Sequence, residues 1–120
     1  MKKILIIEDD KIIKGIIEFI LRKEGYTIEI ATDGITALEK IKSFQPDLVI
    51  TDVMLPYKSG LEVIKYAKTN NSKTPIIVIS SLGKEDSTVS EALKLGASYI
   101  LAKPFNPKEL ILKVKDFFGI

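Results

Sequence analysis

Six polar residues fall where short apolar runs stop. Glu8, Asp9 and Asp10 follow the run Ile4, Leu5, Ile6, Ile7. Asp52 closely follows Leu48, Val49 and Ile50. Ser80 follows Ile76 to Ile79, and Lys103 follows Tyr99 to Ala102. If these residues converge, their types define a chemistry. Clustered carboxylates repel one another, and a hard divalent cation relieves that repulsion. Mg²⁺ favours a few carboxylates together with water and phosphoryl oxygens over a full protein cage. A lysine and a hydroxyl aimed at the same point hold phosphoryl oxygens by charge and by hydrogen bond. Such a set describes a carboxylate that accepts a phosphoryl group. Each residue taken alone has a plainer reading. Acids at a helix N-terminus favour the dipole, and Asp10 is best read as such a cap. Ser80 can simply end a strand, and Lys103 can be a surface lysine in a turn before Pro104. The chemistry rests on their joint occurrence at the ends of different strands.

The elements that must position them follow from periodicity. The run Leu48 to Ile50 is bracketed by Pro46 and Pro56, which suits a strand covered on both faces, as in a parallel sheet. Ile4 to Ile7, Tyr26 to Ile30, Pro75 to Ile79 and Tyr99 to Ala102 read as four further strands. Between them lie helical patterns. Ile12, Ile13, Ile16, Ile17, Ile20 and Leu21 recur at helical spacing and stop at Gly25. After a turn at Asp33 and Gly34, the residues Ile35, Leu38 and Ile41, with Phe44 trailing, predict a second helix. Ser59 and Glu62 match a capping box for a third, with Leu61, Ile64 and Ala67 inward as far as about Thr69. Val89, Ala92 and Leu93 mark a shorter fourth helix stopped by Gly96. Asn106, Pro107 and Glu109 open a fifth at N-cap, N1 and N3, with Leu110, Ile111, Val114, Phe117 and Phe118 as its buried stripe. Strands alternating with helices in this way predict an α/β fold: a doubly wound five-stranded parallel sheet with five helices on both faces. Ligands of such sheets bind at the carboxyl ends of the strands. Periodicity does not reveal the strand order.

Composition bounds the alternatives. A chain of 120 residues, 46% hydrophobic and 28% charged, predicts one soluble domain over residues 1–120 with a real core. No cysteine is present, which excludes disulfides and thiolate metal sites. No histidine is present either, so the commonest general base and zinc ligand are missing. A net charge of +2 is too small to argue for nucleic acid. The apolar opening is too short for a signal-peptide core before Glu8, and no stretch reaches membrane-spanning length.

Across essentially its whole length the sequence resembles the receiver domain of two-component response regulators. The resemblance is carried by Ile4 to Asp10, by Asp47 to Pro56, by Gly60 four residues after that proline, by Pro75 to Ser80, and by Gly96 and Ala97 followed by Lys103, Pro104 and Phe105. It implies a flavodoxin-like fold with strand order 2-1-3-4-5. Asp52 would be the phosphoacceptor. Glu8 and Asp9 would be the acidic pair, with Asp9 binding Mg²⁺ directly alongside Asp52 and Glu8 acting mainly through water. The backbone carbonyl of Met54 would complete the protein ligands, with Mn²⁺ as an alternative ion. Ser80 would be the switch hydroxyl and Lys103 the phosphoryl-binding lysine, followed by a cis bond to Pro104. The phosphoryl donor would be a sensor histidine kinase or a phosphotransfer protein. The signal would leave through the face of the fourth helix, fifth strand and fifth helix to a downstream protein or output domain. The resemblance further implies a cytoplasmic switch rather than an independent enzyme, one that assists its own phosphorylation and aspartyl-phosphate hydrolysis. It implies no direct contact with nucleic acid or membrane.

Two positions depart from the family pattern. Many receivers carry an aromatic switch residue three positions before the lysine, where this chain has Ile100; Tyr99 points to the opposite face by strand alternation. Dimer-forming receivers often carry two acids before the fifth strand and an arginine in the last helix. Ala97, Ser98 and the lysines 108, 113 and 115 stand here, so that dimer is not expected. Among other readings, flavin binding is disfavoured because Glu8 to Lys11 lacks the hydroxyls and glycines that a flavin phosphate needs. A haloacid-dehalogenase-type hydrolase would need a second Asp where Met54 stands. A phosphorylation-silent pseudo-receiver, serving only as an interaction module, is the serious alternative.

Overall fold

Ile4 to Ile7, Leu48 to Ile50 and Ile76 to Ile79 are inaccessible to solvent along their full length. A strand apolar on every residue must be covered on both faces, and a parallel sheet sandwiched between helices achieves this. The computed structural model, which describes residues 1–82 and 86–120, has that architecture. In chain order the elements are β1 (Lys3–Ile7), α1 (Lys11–Lys23), β2 (Thr27–Ala31), α2 (Gly34–Phe44), β3 (Leu48–Asp52), α3 (Gly60–Asn70), β4 (Ile76–Ser80), α4 (Ser87–Leu95), β5 (Tyr99–Ala102) and α5 (Pro107–Phe118). The sheet runs β2-β1-β3-β4-β5, every neighbouring pair parallel. The order that periodicity left open is therefore the one implied by the resemblance.

Side-chain alternation splits the core in two. Leu5, Ile7, Val49 and Val78 face α2, α3 and α4, joined there by Ala37, Ile41, Val63, Ile64, Ala67 and Ala92. Ile4, Ile6, Leu48, Ile50, Ile77, Ile79 and Leu101 face the other way, onto Ile17 and Leu21 of α1 and Leu110 and Val114 of α5. Tyr99 packs on this second layer and Ile100 on the first, as alternation requires.

The helix starts are set locally. Asp10 Oδ1 accepts from the amides of Ile12 and Ile13 at 2.9 and 3.0 Å, so Asp10 caps α1 as read from the sequence. Asn106 caps α5 through Lys108 N at 2.8 Å. The carboxylate of Glu109 does not turn back to complete a box; it accepts the Tyr99 hydroxyl and ties α5 to β5. Ser59 accepts from Glu62 N at 3.3 Å, while the Glu62 carboxylate lies 3.5 Å from Lys58 Nζ.

Two helices each leave outside one residue expected inside, while Leu38, Ile41, Phe44, Val89 and Ala92 pack inward as expected. Asp33 and Gly34 do not form a free turn: Asp33 caps α2 through Thr36 N at 2.8 Å, and Gly34 is its first residue. Gly34, Ala37 and Ile41 are then buried, and Ile35 is 47% exposed. Small residues at 34 and 37 let the helix approach closely, and that approach sets its rotation. In α4, Val89 and Ala92 face inward and Leu93 is left outside for the same reason.

Gly15 sits in the middle of α1, and a Cβ built there meets nothing within 4 Å. Gly15→Ala is therefore expected to stabilise the protein by about 0.5–1 kcal/mol through helix propensity alone. Thermal melting checks this, and an unchanged or lower midpoint would contradict it.

Candidate functional site

Because all five strands run the same way, their carboxyl ends share one edge. Glu8 follows β1 and its amide donates to Ala31 O at 3.0 Å, which extends the sheet by one bond and holds its side chain inward. Asp52 is the last residue of β3, only 6% exposed, and pairs in register with Ile79. Ser80 is the buried last residue of β4. Lys103 follows β5, with its amide donating to Ser80 O at 2.9 Å.

The side chains converge. Carboxylate oxygens of Glu8, Asp9 and Asp52 lie within 4.8 Å of one another. Lys103 Nζ lies 2.6 Å from Asp52 Oδ2 and 3.2 Å from Glu8 Oε1. Asp52 Oδ1 accepts from Met54 N at 2.9 Å, so both oxygens of this carboxylate are held. Glu8 Oε2 accepts from Asp10 N at 3.1 Å. Its other oxygen, Oε1, is buried and accepts no hydrogen bond among the described residues; Lys103 reaches ion-pair distance but not hydrogen-bond geometry. The Ser80 Oγ accepts from Leu82 N at 2.9 Å. The bond between Lys103 and Pro104 is cis, as the resemblance implies.

Charge is unbalanced here. Burial pushes the Glu8 carboxyl above its ordinary value of 4.5, the Asp10 amide opposes this, and the negative Asp52 adds to it. Burial alone would lower the Lys103 ammonium, but the hydrogen bond and charge of Asp52, followed by the nearby Glu8 carboxylate, raise it. The site is thus a set of hard oxygen donors with one lysine, and its orphaned buried oxygen is left for a ligand to satisfy. These donors fit a divalent cation of the Mg²⁺ type. The Met54 carbonyl accepts no hydrogen bond among the described residues.

A pH dependence follows from Glu8. Its carboxyl binds a proton more tightly in the folded state than in the unfolded chain. The stability this contributes is full below the ordinary value and is lost as pH rises through the raised folded value. In a chelator, Glu8→Gln is expected to melt above wild type at neutral pH, with the gap closing as the medium is acidified through that window. A gap independent of pH would show that the carboxyl is not perturbed by burial.

Three features were not read from the sequence. Thr51 is buried within β3 and its hydroxyl donates to Asp52 O at 2.9 Å; a hydroxyl inside an otherwise apolar run was the available signal. Gly60 packs so closely that a Cβ would lie 2.4 Å from Asp52 O. Tyr57 has a φ of 69°, and nothing local predicts that for a tyrosine. The polar, Gly83-containing stretch from Ser81 to Asp86 reads from the sequence as the least anchored segment near the site, and its residues 83–85 lie outside the described residues.

A five-stranded 2-1-3-4-5 sheet with acids after β1, an aspartate ending β3 and a lysine after β5 defines a class of phosphoryl-responsive signalling domain. Residues 4–115 match the family model of the response regulator receiver domain, and the chain belongs to that family. It is 37% identical over 114 residues to the alkaline phosphatase synthesis transcriptional regulatory protein PhoP of Bacillus subtilis. That alignment covers 95% of this chain and 47% of PhoP, so the chain spans about half the length of this curated relative. Among solved structures it is similar to the chemotaxis response regulator CheY4 of Vibrio cholerae, at 31% identity, TM-score 0.89 and 98% coverage of each chain. It is also similar to the receiver domain of a sensor histidine kinase from Pseudomonas aeruginosa, at 27% identity and TM-score 0.89, covering 99% of this chain and 98% of that one. The latter structure has a magnesium ion coordinated in its active-site cleft. The chain is a receiver domain of two-component response regulators, and no described helix is long and apolar enough to cross a membrane.

Proposed function

We propose that Asp52 accepts a phosphoryl group from a phosphohistidine on a sensor kinase or phosphotransfer protein. The observation that carries this reading is the position of Asp52: at the end of the central strand, bound by Lys103 and the Met54 amide, with the oxygens of Glu8 and Asp9 alongside. An Asp52 oxygen attacks phosphorus, the bond from phosphorus to the histidine nitrogen breaks, and its electron pair returns to the imidazole. Lys103 supplies positive charge to the arriving phosphoryl oxygens. Mg²⁺ held by Asp9, Asp52 and the Met54 carbonyl, with Glu8 acting through water, would neutralise charge on the transferring group; Mn²⁺ can take the same donors. Catalysis is then positioning and electrostatics, which fits a switch that assists its own phosphorylation and hydrolysis rather than an independent enzyme. A phosphorylation-silent module gains no support, since Glu8, Asp9, Asp52 and Lys103 are all present and converge. Intact-mass measurement after incubation with acetyl phosphate and Mg²⁺ tests the proposal: one phosphoryl group is expected, and none would refute it.

The metal has its own readout. A ligand bound only to the folded state stabilises it, by about 1.4 kcal/mol at ten times its dissociation constant. Millimolar Mg²⁺ is expected to raise the melting temperature by several degrees and to do so far less in Asp9→Asn. An equal shift in both proteins would remove Asp9 from the metal site.

Phosphorylation adds about two negative charges and three acceptor oxygens. Lys103 and Ser80 are the residues placed to follow those oxygens. Drawing Ser80 Oγ inward would cost the Leu82 amide its acceptor and so move the start of the segment leading to α4. Ile100 can repack but carries no hydroxyl. Tyr99 is held on the other face by Glu109, with Lys113 Nζ 4.6 Å from its ring centroid. The output surface is then α4, β5 and the lysine-bearing α5, meeting a downstream protein or output domain in the cytoplasm. Amide shifts with Mg²⁺ and beryllofluoride, a phosphoryl mimic, are expected to concentrate between residues 80 and 96. Shifts confined to α3 would exclude this route.

A further inference from the structure

Among the described residues near the site, Tyr57 is the one whose backbone works against its side chain. Its φ of 69° lies in the left-handed region, where a bulky side chain crowds its own backbone. The cause is visible on both sides. Pro56 O accepts from Lys58 N at 2.8 Å, closing a γ-turn about Tyr57, a rare and strained form at positive φ. The same oxygen accepts from Gly34 N at 3.0 Å, which pins the turn to the start of α2. Glycine would adopt this conformation freely. The chain instead places there a tyrosine that is 83% exposed and so gains no core packing in return. Strain of this kind points from an observed outlier to a use for the side chain.

The neighbourhood says what that use is. Pro56 and Ser59, on either side of Tyr57 in the chain, line a depression of about 330 Å³ together with Asp9 and Met54. Met54 is itself 65% exposed. Asp52, bonded to the amide of the lining residue Met54 and grouped with Asp9, is nearly inaccessible, so a phosphoryl group borne on a protein side chain reaches it only if the donor protein comes up against these residues. An exposed aromatic ring held in a rigid turn gives contact area at little entropic cost. We propose that Tyr57 is a specificity-determining contact for the protein phosphodonor, retained at the expense of backbone strain. The inference rests on the phosphoacceptor reading of Asp52 and adds a residue outside the reacting group.

The test separates the two. Wild type, Tyr57→Gly and Tyr57→Asn are phosphorylated with acetyl phosphate and Mg²⁺, and separately by purified, autophosphorylated sensor kinases of the source organism, with the fastest kinase taken as donor. Asparagine tolerates the left-handed region without glycine's extra chain entropy. Both variants are expected to melt at or above wild type, to react with acetyl phosphate at the wild-type rate, and to receive phosphoryl from the kinase at least tenfold more slowly. Kinase transfer at the wild-type rate in both variants would overturn the inference while leaving Asp52 as the acceptor. Equal slowing with both donors would also overturn it, because Tyr57 would then be shaping the site rather than reading the donor. Failure of wild type itself to react with acetyl phosphate would remove the phosphoacceptor reading and this inference together.

Discussion

Asp52→Asn is expected to gain no phosphoryl mass from acetyl phosphate and Mg²⁺, and in a chelator to melt above wild type. The loss follows from nucleophilicity: the amide presents no anionic oxygen to phosphorus, and no other carboxylate in the cluster is held both by Lys103 at 2.6 Å and by a backbone amide. The gain in stability is the less obvious half. Removing the charge of Asp52 breaks its ion pair with Lys103, and that alone would destabilise. Yet Glu8 is also buried, lies 3.2 Å from the same ammonium, and is pushed toward its neutral form by burial and then by Asp52. One lysine facing two buried acids and a third at the surface leaves excess negative charge. Removing one acid leaves Glu8 and Lys103 matched. A higher melting temperature is therefore expected, because relief of the repulsion on Glu8 offsets the lost ion pair. Mass spectrometry and thermal melting read the two halves separately. A variant that acquires phosphoryl mass at the wild-type rate would place the nucleophile elsewhere, and one that melts below wild type would show that the Lys103 pair outweighs the repulsion.

Gly60→Ala should have the largest effect on stability, opposite in sign to Gly15→Ala. Both glycines lie in helices, and propensity favours alanine at each by about 1 kcal/mol. At Gly60, however, a Cβ would stand 2.4 Å from Asp52 O and 2.5 Å from Val53 Cα, which are backbone atoms with no rotamer to yield. The Gly60 amide also donates to Val53 O at 2.9 Å, so the helix start cannot withdraw without losing that bond. Overpacking of this kind costs about 3 kcal/mol, or about 10 °C in melting temperature for a domain of this size. The displaced atoms belong to Asp52 and its neighbour, so phosphorylation should slow along with the loss of stability. Gly34→Ala supplies the comparison: its Cβ would meet Lys58 Cβ at 2.2 Å, away from the reacting carboxylate. It should destabilise too, with less effect on phosphorylation per degree lost. A Gly60→Ala protein as stable as wild type would mean that α3 can slide outward.

Much of the architecture was legible because its signals are local. A strand shows itself within four or five residues of β-branched side chains, and a cap shows itself in the residue types at its first turn. Asp10, Asn106, Gly96 and the five strand cores were therefore readable. So was the opposition of Tyr99 and Ile100, which depends only on the twofold alternation of a strand. In the second and fourth helices one residue each, Ile35 and Leu93, was placed inside because hydrophobicity was weighed above size, while Leu38, Ile41, Phe44, Val89 and Ala92 do pack inward. Ile35 is the more apolar residue, but Gly34 beside it is the one that lets the helix start come close to Lys58.

By itself, then, the sequence determined which residues end the strands, that Glu8, Asp9, Asp52 and Lys103 are chemically suited to a cation and a phosphoryl group, and, through family resemblance, where each belongs. Tertiary structure alone decided that Lys103 would be shared between Asp52 and Glu8, residues far from it in the chain, and that Glu8 would bury one oxygen without a hydrogen bond. It also decided that two glycines would touch backbone or Cβ atoms across the fold and that Tyr57 would be driven into a γ-turn. The reason is one of range. Periodicity and capping act over a turn or two of chain, whereas these contacts arise only after β1, β3 and β5 lie in one sheet and the loops between them are drawn tight, so no window of sequence contains both partners.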